Sequence, residues 1–333
     1  MIIVTGGTGL LGSHLLLRLA GNNKPVRVLV RESSKPEQIL ETWKYYIPDP
    51  YEIFRKIEWQ IIDPLNKASL MESIQDAQQI FHCAANVSFN PRKKKEIWNA
   101  NVTFTSNLVD CCLELKTLRL IHVSSVAAIG KPQNEELADE TSGWPIKPAS
   151  IYAKTKTLGE LEVWKGINEG LKAVIVNPSV ILGPVSGRQG SAAIFETLRK
   201  GIKFYPSGTT GFVDVRDVAE ILVQLADSDI SGERFILNSA NLSYRELFHK
   251  ITLAFGKKPP KYLLSHRMTS IAWKLEWLLS FLTGNEPRIT KQTAHAAQSI
   301  QKYSSEKISK LMGFSFREID ETIKNSVKFY TRK

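Results

Sequence analysis

Thr5-Gly6-Gly7-Thr8-Gly9-Leu10-Leu11-Gly12 is the stretch on which the reading of this chain turns. The apolar run Ile2-Ile3-Val4 before it reads as a buried strand, and Ser13 to Ala20 after it reads as a helix. A strand, a glycine turn and a helix together make a site for a phosphorylated ligand. The helix start offers unpaired N–H groups and a partial positive charge, and glycines let a pyrophosphate approach the backbone. An ordinary strand-to-helix turn can share the glycines; position within the first βα unit is what gives them weight.

Outward from that turn, short apolar runs alternate with helical periodicity. Strands are expected at 26–30, 57–62, 79–83, 118–123, 173–176 and 234–237, with helices at 69–74, 97–115 and 148–170. Residues 35–56 carry three prolines and read as a broken helix. The alternation predicts an α/β fold: a Rossmann-type, doubly wound, mainly parallel sheet of about seven strands. It stops near Gly256, where Lys257-Lys258-Pro259-Pro260 makes a break. Ser265 to Thr283 then reads as an apolar helix bearing Trp273 and Trp277, and a helical tail follows Pro287. The expected organisation is a cofactor-binding domain over 1–180, with sheet contributions from about 205–240. A smaller, mostly helical substrate lobe over 181–333 interleaves with it.

Composition sets bounds. At 333 residues, 43% hydrophobic and 23% charged, the chain can bury a substantial core and reads as soluble and globular. No charged leader with a long apolar run opens it, and no stretch of about 18 uncharged apolar residues occurs. Cys83, Cys111 and Cys112 lack metal-ligand spacing and suggest no disulfide framework, so a reducing cytoplasm is expected and no metal. Of the net charge of +11, nine lie from Lys257 onward, where 15 basic residues face 6 acidic ones. That excess reads as a solvated surface, or as attraction to anionic substrates or an anionic membrane surface. No nucleic-acid motif accompanies it.

Three further features carry chemistry. Where the second strand ends, folds that bind an unphosphorylated ribose place a carboxylate; here Arg31 stands, followed by Glu32, Ser33 and Ser34. A guanidinium pairs with a 2′-phosphate and the hydroxyls add donors, which favours NADP over NAD, unless Glu32 is the residue that faces the ribose. Ser125 lies just past the fifth strand, where ligands sit in such sheets. Tyr152 and Lys156, four apart, share a helix face. The ammonium is expected to lower the phenol's pKa from about 10 toward neutrality, so that it exchanges a proton with a substrate oxygen. A second Tyr-x-x-x-Lys, Tyr303 and Lys307, lacks that context and reads as chance. His82 reads as a satisfied core histidine, and Asp214 and Asp217 as structural.

Taken together these residues resemble the extended short-chain dehydrogenase/reductases of the NAD-dependent epimerase/dehydratase kind. The likeness runs in order through the glycine turn, Asp63, His82-Cys83-Ala84-Ala85, Asn101-Val102 and Ser124-Ser125 with Gly130. It continues through Tyr152-x-x-x-Lys156, Asn177-Pro178 with Gly183-Pro184, and Phe212 to Ala219, covering residues 1 to about 240. The resemblance implies that Gly6, Gly9, Leu10, Leu11 and Gly12 hold the pyrophosphate, and that Asp63 accepts from the adenine. Ala84 and Ala85 would pass beneath the nicotinamide-side ribose, with Asn101 supporting the cofactor. Ser125 would polarise the substrate oxygen, with Ser124 as its competitor. Tyr152 would be the acid/base, Lys156 would bind the ribose, and Pro178 and Ile181 would border the nicotinamide. A homodimer through two helices is common in the family.

The substrate is less defined. Nucleotide-sugar enzymes of the family commonly carry an arginine and an aspartate where this chain has Thr210-Gly211-Phe212. The chain is closer to the dihydroflavonol-reductase and 3β-hydroxysteroid-dehydrogenase branch, although Gly130 replaces the asparagine of the flavonoid enzymes. The resemblance implies NADPH-dependent, reversible reduction of a carbonyl on a small hydrophobic substrate. A nucleotide-sugar epimerase or dehydratase is the first alternative, and a non-catalytic NADP-binding redox sensor the second. Phe89, Phe204, Phe212 and the tryptophan helix are candidate pocket walls; that helix also reads as core, as a lid, or as lying in a membrane interface.

Overall fold

The computed structural model describes residues 1–332 except 22–23, 89, 117–118, 133–136, 188–189, 266–267, 269–272 and 274–290. The first strand, β1 (Ile2–Thr5), is buried along its whole length, with Ile2 and Val4 packed into one core and Ile3 into another. That split is the signature of a strand covered on both faces. Around it lie β2 (Val26–Val30), β3 (Glu58–Ile61), β4 (Gln79–His82), β5 (Arg119–Val123) and β6 (Lys172–Pro178). Beyond these come β7 (Val180–Leu182), β8 (Phe204–Tyr205), β9 (Thr209–Asp214), β10 (Glu233–Leu237), β11 (Ala240–Ser243) and β12 (Tyr262–Leu263).

Seven strands pair in the order β10-β6-β5-β4-β1-β2-β3, every pair parallel. The order reverses between β1 and β4, so the crevice for a ligand opens there, at the carboxyl ends of the strands. The expected doubly wound sheet of about seven strands is what the chain forms. Two smaller sheets were not foreseen: β11-β9-β7, and the two-stranded β12-β8. Their strands are short and lack the long apolar runs that announce the main sheet.

The helices are α1 (Leu10–Ala20), α2 (Gln38–Trp43), α3 (Pro50–Lys56), α4 (Lys67–Ile74), α5 (Lys94–Trp98), α6 (Phe104–Leu115) and α7 (Ile151–Asn168). Then follow α8 (Ala192–Arg199), α9 (Val215–Ala226), α10 (Tyr244–Ala254), α11 (Lys291–Ala296), α12 (Glu306–Met312) and α13 (Ile319–Thr331). Leucines of α1 and α9 cover one face of the sheet, while α4, α6 and α7 cover the other. The broken helix expected over 35–56 is the pair α2 and α3. Asp49 caps α3 through the N–H groups of Tyr51 and Glu52, with Pro50 at its first position. The expected helix over 97–115 changes winding: Asn99–Thr103 forms a π-helical turn between α5 and α6.

A third core belongs to the C-terminal lobe, built from α8, α10 and α13 around Phe195, Phe212 and Tyr330. Phe212 is therefore a packing residue, fully buried against Tyr244, rather than a pocket wall. Phe204 is exposed on β8, and Phe89 and most of the tryptophan-bearing stretch lie outside the described residues. Tyr303 is buried with its hydroxyl on Gln301, and Lys307 pairs with Glu233, so the second Tyr-x-x-x-Lys is structural.

Candidate active site

The glycine turn is tight for reasons internal to the chain. Gly6 has φ +71°, and a Cβ there would come within 2.7 Å of the Ala84 nitrogen. A Cβ on Gly12 would run into the Gly6 carbonyl. Gly9 is different: its Cβ would meet protein only at 3.4 Å, from the Gly6 oxygen. Two glycines are thus required by packing, while Gly9 leaves open space. Gly9 is also the N-cap of α1, and no side chain caps it. Uncapped N–H groups facing open space at a helix start suit a pyrophosphate. Leu10 and Leu11 open the helix, and Leu10 also packs against the C-terminal lobe.

Arg31 follows β2 at the surface and makes no ion pair among the described residues. Its carbonyl accepts from Ser34 N–H at 2.9 Å, so Glu32 and Ser33 form the outside of a turn. Asp63 follows β3, exposed, with one oxygen accepting from Leu65 N–H at 3.0 Å. Ala84 and Ala85 continue from β4 directly beneath Gly6, and Ala84 N–H donates to Thr5 Oγ1 at 3.2 Å. Pro178 ends β6, and Ile181 lies half-buried on β7.

His82 behaves as a core residue. Its Nδ1 and Nε2 meet Thr5 Oγ1 at 2.8 Å and Thr105 Oγ1 at 2.9 Å. The Thr105 hydroxyl donates to Asn101 O at 3.1 Å, and Thr5 Oγ1 accepts from Ala84. A consistent network then has Nε2–H donating to Thr105 and Nδ1 accepting from Thr5. Burial pushes the imidazole down to about 3, so it is neutral.

Ser125 stands just beyond β5 and caps a short 3₁₀ turn, its hydroxyl accepting from Ala127 N–H at 3.1 Å. The same hydroxyl lies near enough to the Tyr152 phenol to favour its ionised form. Ser150 caps α7 by accepting from Ala153 N–H at 2.9 Å, which sets Tyr152 in the first turn. Lys156, one turn on, is buried, and its Nζ donates to Val123 O at 2.7 Å. Ser124 is committed elsewhere: its hydroxyl donates to Glu160 at 2.6 Å. Of the two serines, only Ser125 meets the tyrosine.

One expectation fails. The Tyr152 phenol sits above its ordinary range, because burial outweighs the effect of the Ser125 hydroxyl. The Lys156 ammonium is turned to the Val123 carbonyl, to which it donates at 2.7 Å. Burial brings Lys156 itself down to about 8, against the opposing pull of Glu160.

Sequence reasoning missed what holds these groups. Asn101, in the π-helical turn, bonds both N–H and O of Asn86 at 2.7 and 3.2 Å and donates to Thr155 Oγ1 at 3.0 Å. It thus ties the loop after β4 to the helix of Tyr152 and Lys156. Glu160, fully buried, accepts from five donors. Ser124 at 2.6 Å and Asn177 Nδ2 at 2.7 Å share one oxygen; Arg234 at 3.1 Å and the indoles of Trp144 and Trp164 at 3.2 and 3.4 Å share the other. Asn177 also donates to Ser125 O at 3.0 Å, so the serine's backbone is anchored to the tyrosine's helix. The spacing of Glu160, four residues beyond Lys156, was the available signal. Asp214 and Asp217 are structural: Asp214 caps α9 and binds Arg216, and Asp217 accepts from Arg317. No cluster that could hold a metal ion occurs among the described residues.

A cavity of about 390 Å³ opens beside the first turn of α7, lined by Pro148, Ala149, Ser150, Ile151, Lys94, Lys154 and Gln292. It adjoins Tyr152 in sequence and mixes apolar walls with two lysines that have no carboxylate partner among the described residues.

The family model for the NAD dependent epimerase/dehydratase family matches residues 2–237. The chain is 28% identical to a putative dihydroflavonol 4-reductase of Synechocystis sp., over 98% of this chain and 93% of that one. It is 24% identical to the decarboxylating sterol-4-alpha-carboxylate 3-dehydrogenase of Mus musculus, over 98% and 90%. Among solved structures it superposes on gox2253 with a TM-score of 0.79 at 27% identity, covering 100% of this chain and 98% of that one. The NAD complex of UDP-glucose 4-epimerase from Thermus thermophilus shares the fold, with a TM-score of 0.73 at 20% identity, over 99% and 98%. No described helix is long and apolar enough to cross a membrane. The chain belongs to the NAD dependent epimerase/dehydratase family and is an NAD(P)-dependent enzyme of the extended short-chain dehydrogenase/reductase type.

Proposed function

We propose that this enzyme uses NADP(H) to reduce a carbonyl, or oxidise the corresponding alcohol, on a small and mainly apolar substrate. The reading rests on one observation: Ser125 lies near the Tyr152 phenol, with buried Lys156 one helical turn along α7. Residues 1–180, with strands from the later chain, would hold the cofactor, and the lobe from 181 onward the substrate. Gly6, Gly9, Leu10, Leu11 and Gly12 would take the pyrophosphate, Asp63 the adenine, and Arg31 the 2′-phosphate. Ala84, Ala85, Asn101, Pro178 and Ile181 would frame the nicotinamide ribose and ring. The bound nicotinamide supplies or takes up a hydride.

Ser125 then donates to the substrate oxygen, and Tyr152 passes its proton to that oxygen as the carbonyl carbon is reduced. Lys156, protonated below about pH 8, stabilises the phenolate left behind. Lys156 Nζ, which donates to Val123 O at 2.7 Å, would also hold the nicotinamide-side ribose. The cavity beside α7 suits an apolar body bearing a polar or anionic group. Support for that class comes from relatives named for a dihydroflavonol and a sterol carboxylate.

The test is Tyr152→Phe, assayed by NADPH absorbance against a panel of ketones, with UDP- and GDP-sugars followed beside them by product chromatography because their conversion consumes no NADPH. Turnover falls by at least about 100-fold while NADPH still binds. Retained turnover removes Tyr152 from the chemistry, and turnover of the sugars alone moves the enzyme to the epimerases.

A further inference from the structure

The small β12-β8 ribbon has a surface that the chemistry above does not use. Phe204 and Tyr262 are register partners whose rings lie 5.7 Å apart, and they are 42% and 58% exposed. Leu263, the register partner of Tyr205 and so on the opposite face, is 50% exposed, and Leu253 at the end of α10 is 55% exposed. On the ribbon's other face, Tyr205 is half-buried beneath the Arg245 guanidinium, which fixes the ribbon to α10. Backbone bonds from Lys261 and Tyr262 N–H to Lys203 O, at 3.1 and 3.0 Å, hold the two strands together. Phe204 and Tyr262, on the outer face, are thus displayed from a braced element.

The chain flanking them carries charge of one sign. Residues 197–208 and 247–264, which carry the ribbon and its flanks, hold Arg199, Lys200, Lys203, Lys250, Lys257, Lys258 and Lys261 and no Asp or Glu. Arg199 pairs with Glu196 and Lys250 with Asp320. The other five lysines are exposed and have no carboxylate partner among the described residues. Exposed aromatic side chains, flanked along the chain by exposed lysines, match the two layers of a lipid surface. The rings enter the headgroup–acyl boundary, and flexible lysines reach the anionic headgroups. A polyanion without an apolar layer would leave Phe204 and Tyr262 in water.

From this complementarity we propose that the β8–β12 ribbon and its lysine rim dock the enzyme on an anionic lipid surface. The inference is independent of the substrate assigned above, and its test needs no substrate. The full chain is sedimented with vesicles of phosphatidylcholine alone and with vesicles containing a third phosphatidylserine. Binding is expected only to the anionic vesicles and is weakened by salt. Replacing Lys257→Gln, Lys258→Gln and Lys261→Gln together lowers the partition coefficient roughly 100-fold, as three lost headgroup attractions imply. Phe204→Ser with Tyr262→Ser lowers it on the order of 10-fold. NADPH binding, unchanged in both variants, controls for folding. Failure to sediment with anionic vesicles overturns the proposal, as does equal binding by all variants. Binding to heparin without partition onto vesicles would reassign the patch to a polyanion. Self-association that the aromatic variant abolishes, seen by light scattering without lipid, would reassign it to a second copy.

Discussion

At the scale of single residues, the proposed preference for NADP rests on Arg31. It stands exposed after β2 with no ion pair among the described residues, so its charge is free to meet a ligand. A charge-assisted hydrogen bond contributes about 1.5–3 kcal/mol. Arg31→Ala should therefore weaken NADPH roughly 10- to 100-fold and leave NADH nearly unchanged, read by nicotinamide fluorescence titration. Tighter binding of NADH by the unaltered enzyme would instead turn the ribose over to Glu32. Identity and spacing made Arg31, Ser125, Tyr152 and Lys156 legible in the sequence, because each sits at a strand end or one helical turn from another. The Lys156 ammonium's direction was not legible. It depends on the Val123 carbonyl, 33 residues away in the chain, which only the packed sheet brings within 2.7 Å.

The decisive element is α7, which combines the proposed reacting groups with the contacts that fix them. Its hydrophobic pattern announced a helix, but its partners come from four distant segments and left no local trace. Gly159 shows the cost of that closeness: a Cβ there would collide with the Asn101 carbonyl in the π-helical turn. Gly159→Ala should force α7 away from that turn, destabilising the fold by about 1–3 kcal/mol in urea titration. It should also lower turnover more than cofactor affinity, because the Ser125–Tyr152 contact loosens while the glycine turn stays. Glu160→Ala acts one residue on and leaves the Arg234 guanidinium, 7% exposed, without its carboxylate. Breaking such a buried pair costs about 3–5 kcal/mol, and a loss under about 1 kcal/mol would show that water replaces the carboxylate. The π-helical turn itself was invisible in the sequence, since its residues carry ordinary helical periodicity and only the register of hydrogen bonds changes.

Across the whole molecule, the parallel sheet encloses histidines that the fold keeps neutral. Burial brings His14 to about 4 and His82 to about 3, and it holds His122 well below the ordinary value of 6.5. Unfolded, all three bind protons near pH 6.5. Between that pH and their folded values the unfolded chain carries the extra protons, so stability rises with pH. It is complete above about pH 7 and is lost as the pH falls toward 4, at up to roughly 4 kcal/mol per pH unit near pH 5. Glu140 and Asp217, whose carboxyls burial pushes up, act in the opposite sense and offset part of the loss at the acid end. His122 separates this linkage from catalysis, because both its ring nitrogens are buried without a hydrogen-bond partner among the described residues. An unpaired buried polar group destabilises the fold, so an apolar residue of similar volume should be tolerated. His122→Leu is expected to leave stability at pH 7 unchanged or higher. At pH 5 it should remove about one third of the pH dependence, roughly 1.4 kcal/mol per pH unit. Urea titrations at pH 7, 6 and 5 measure both, and an unaltered slope would mean that His122 takes up its proton in the folded protein as readily as in the unfolded chain.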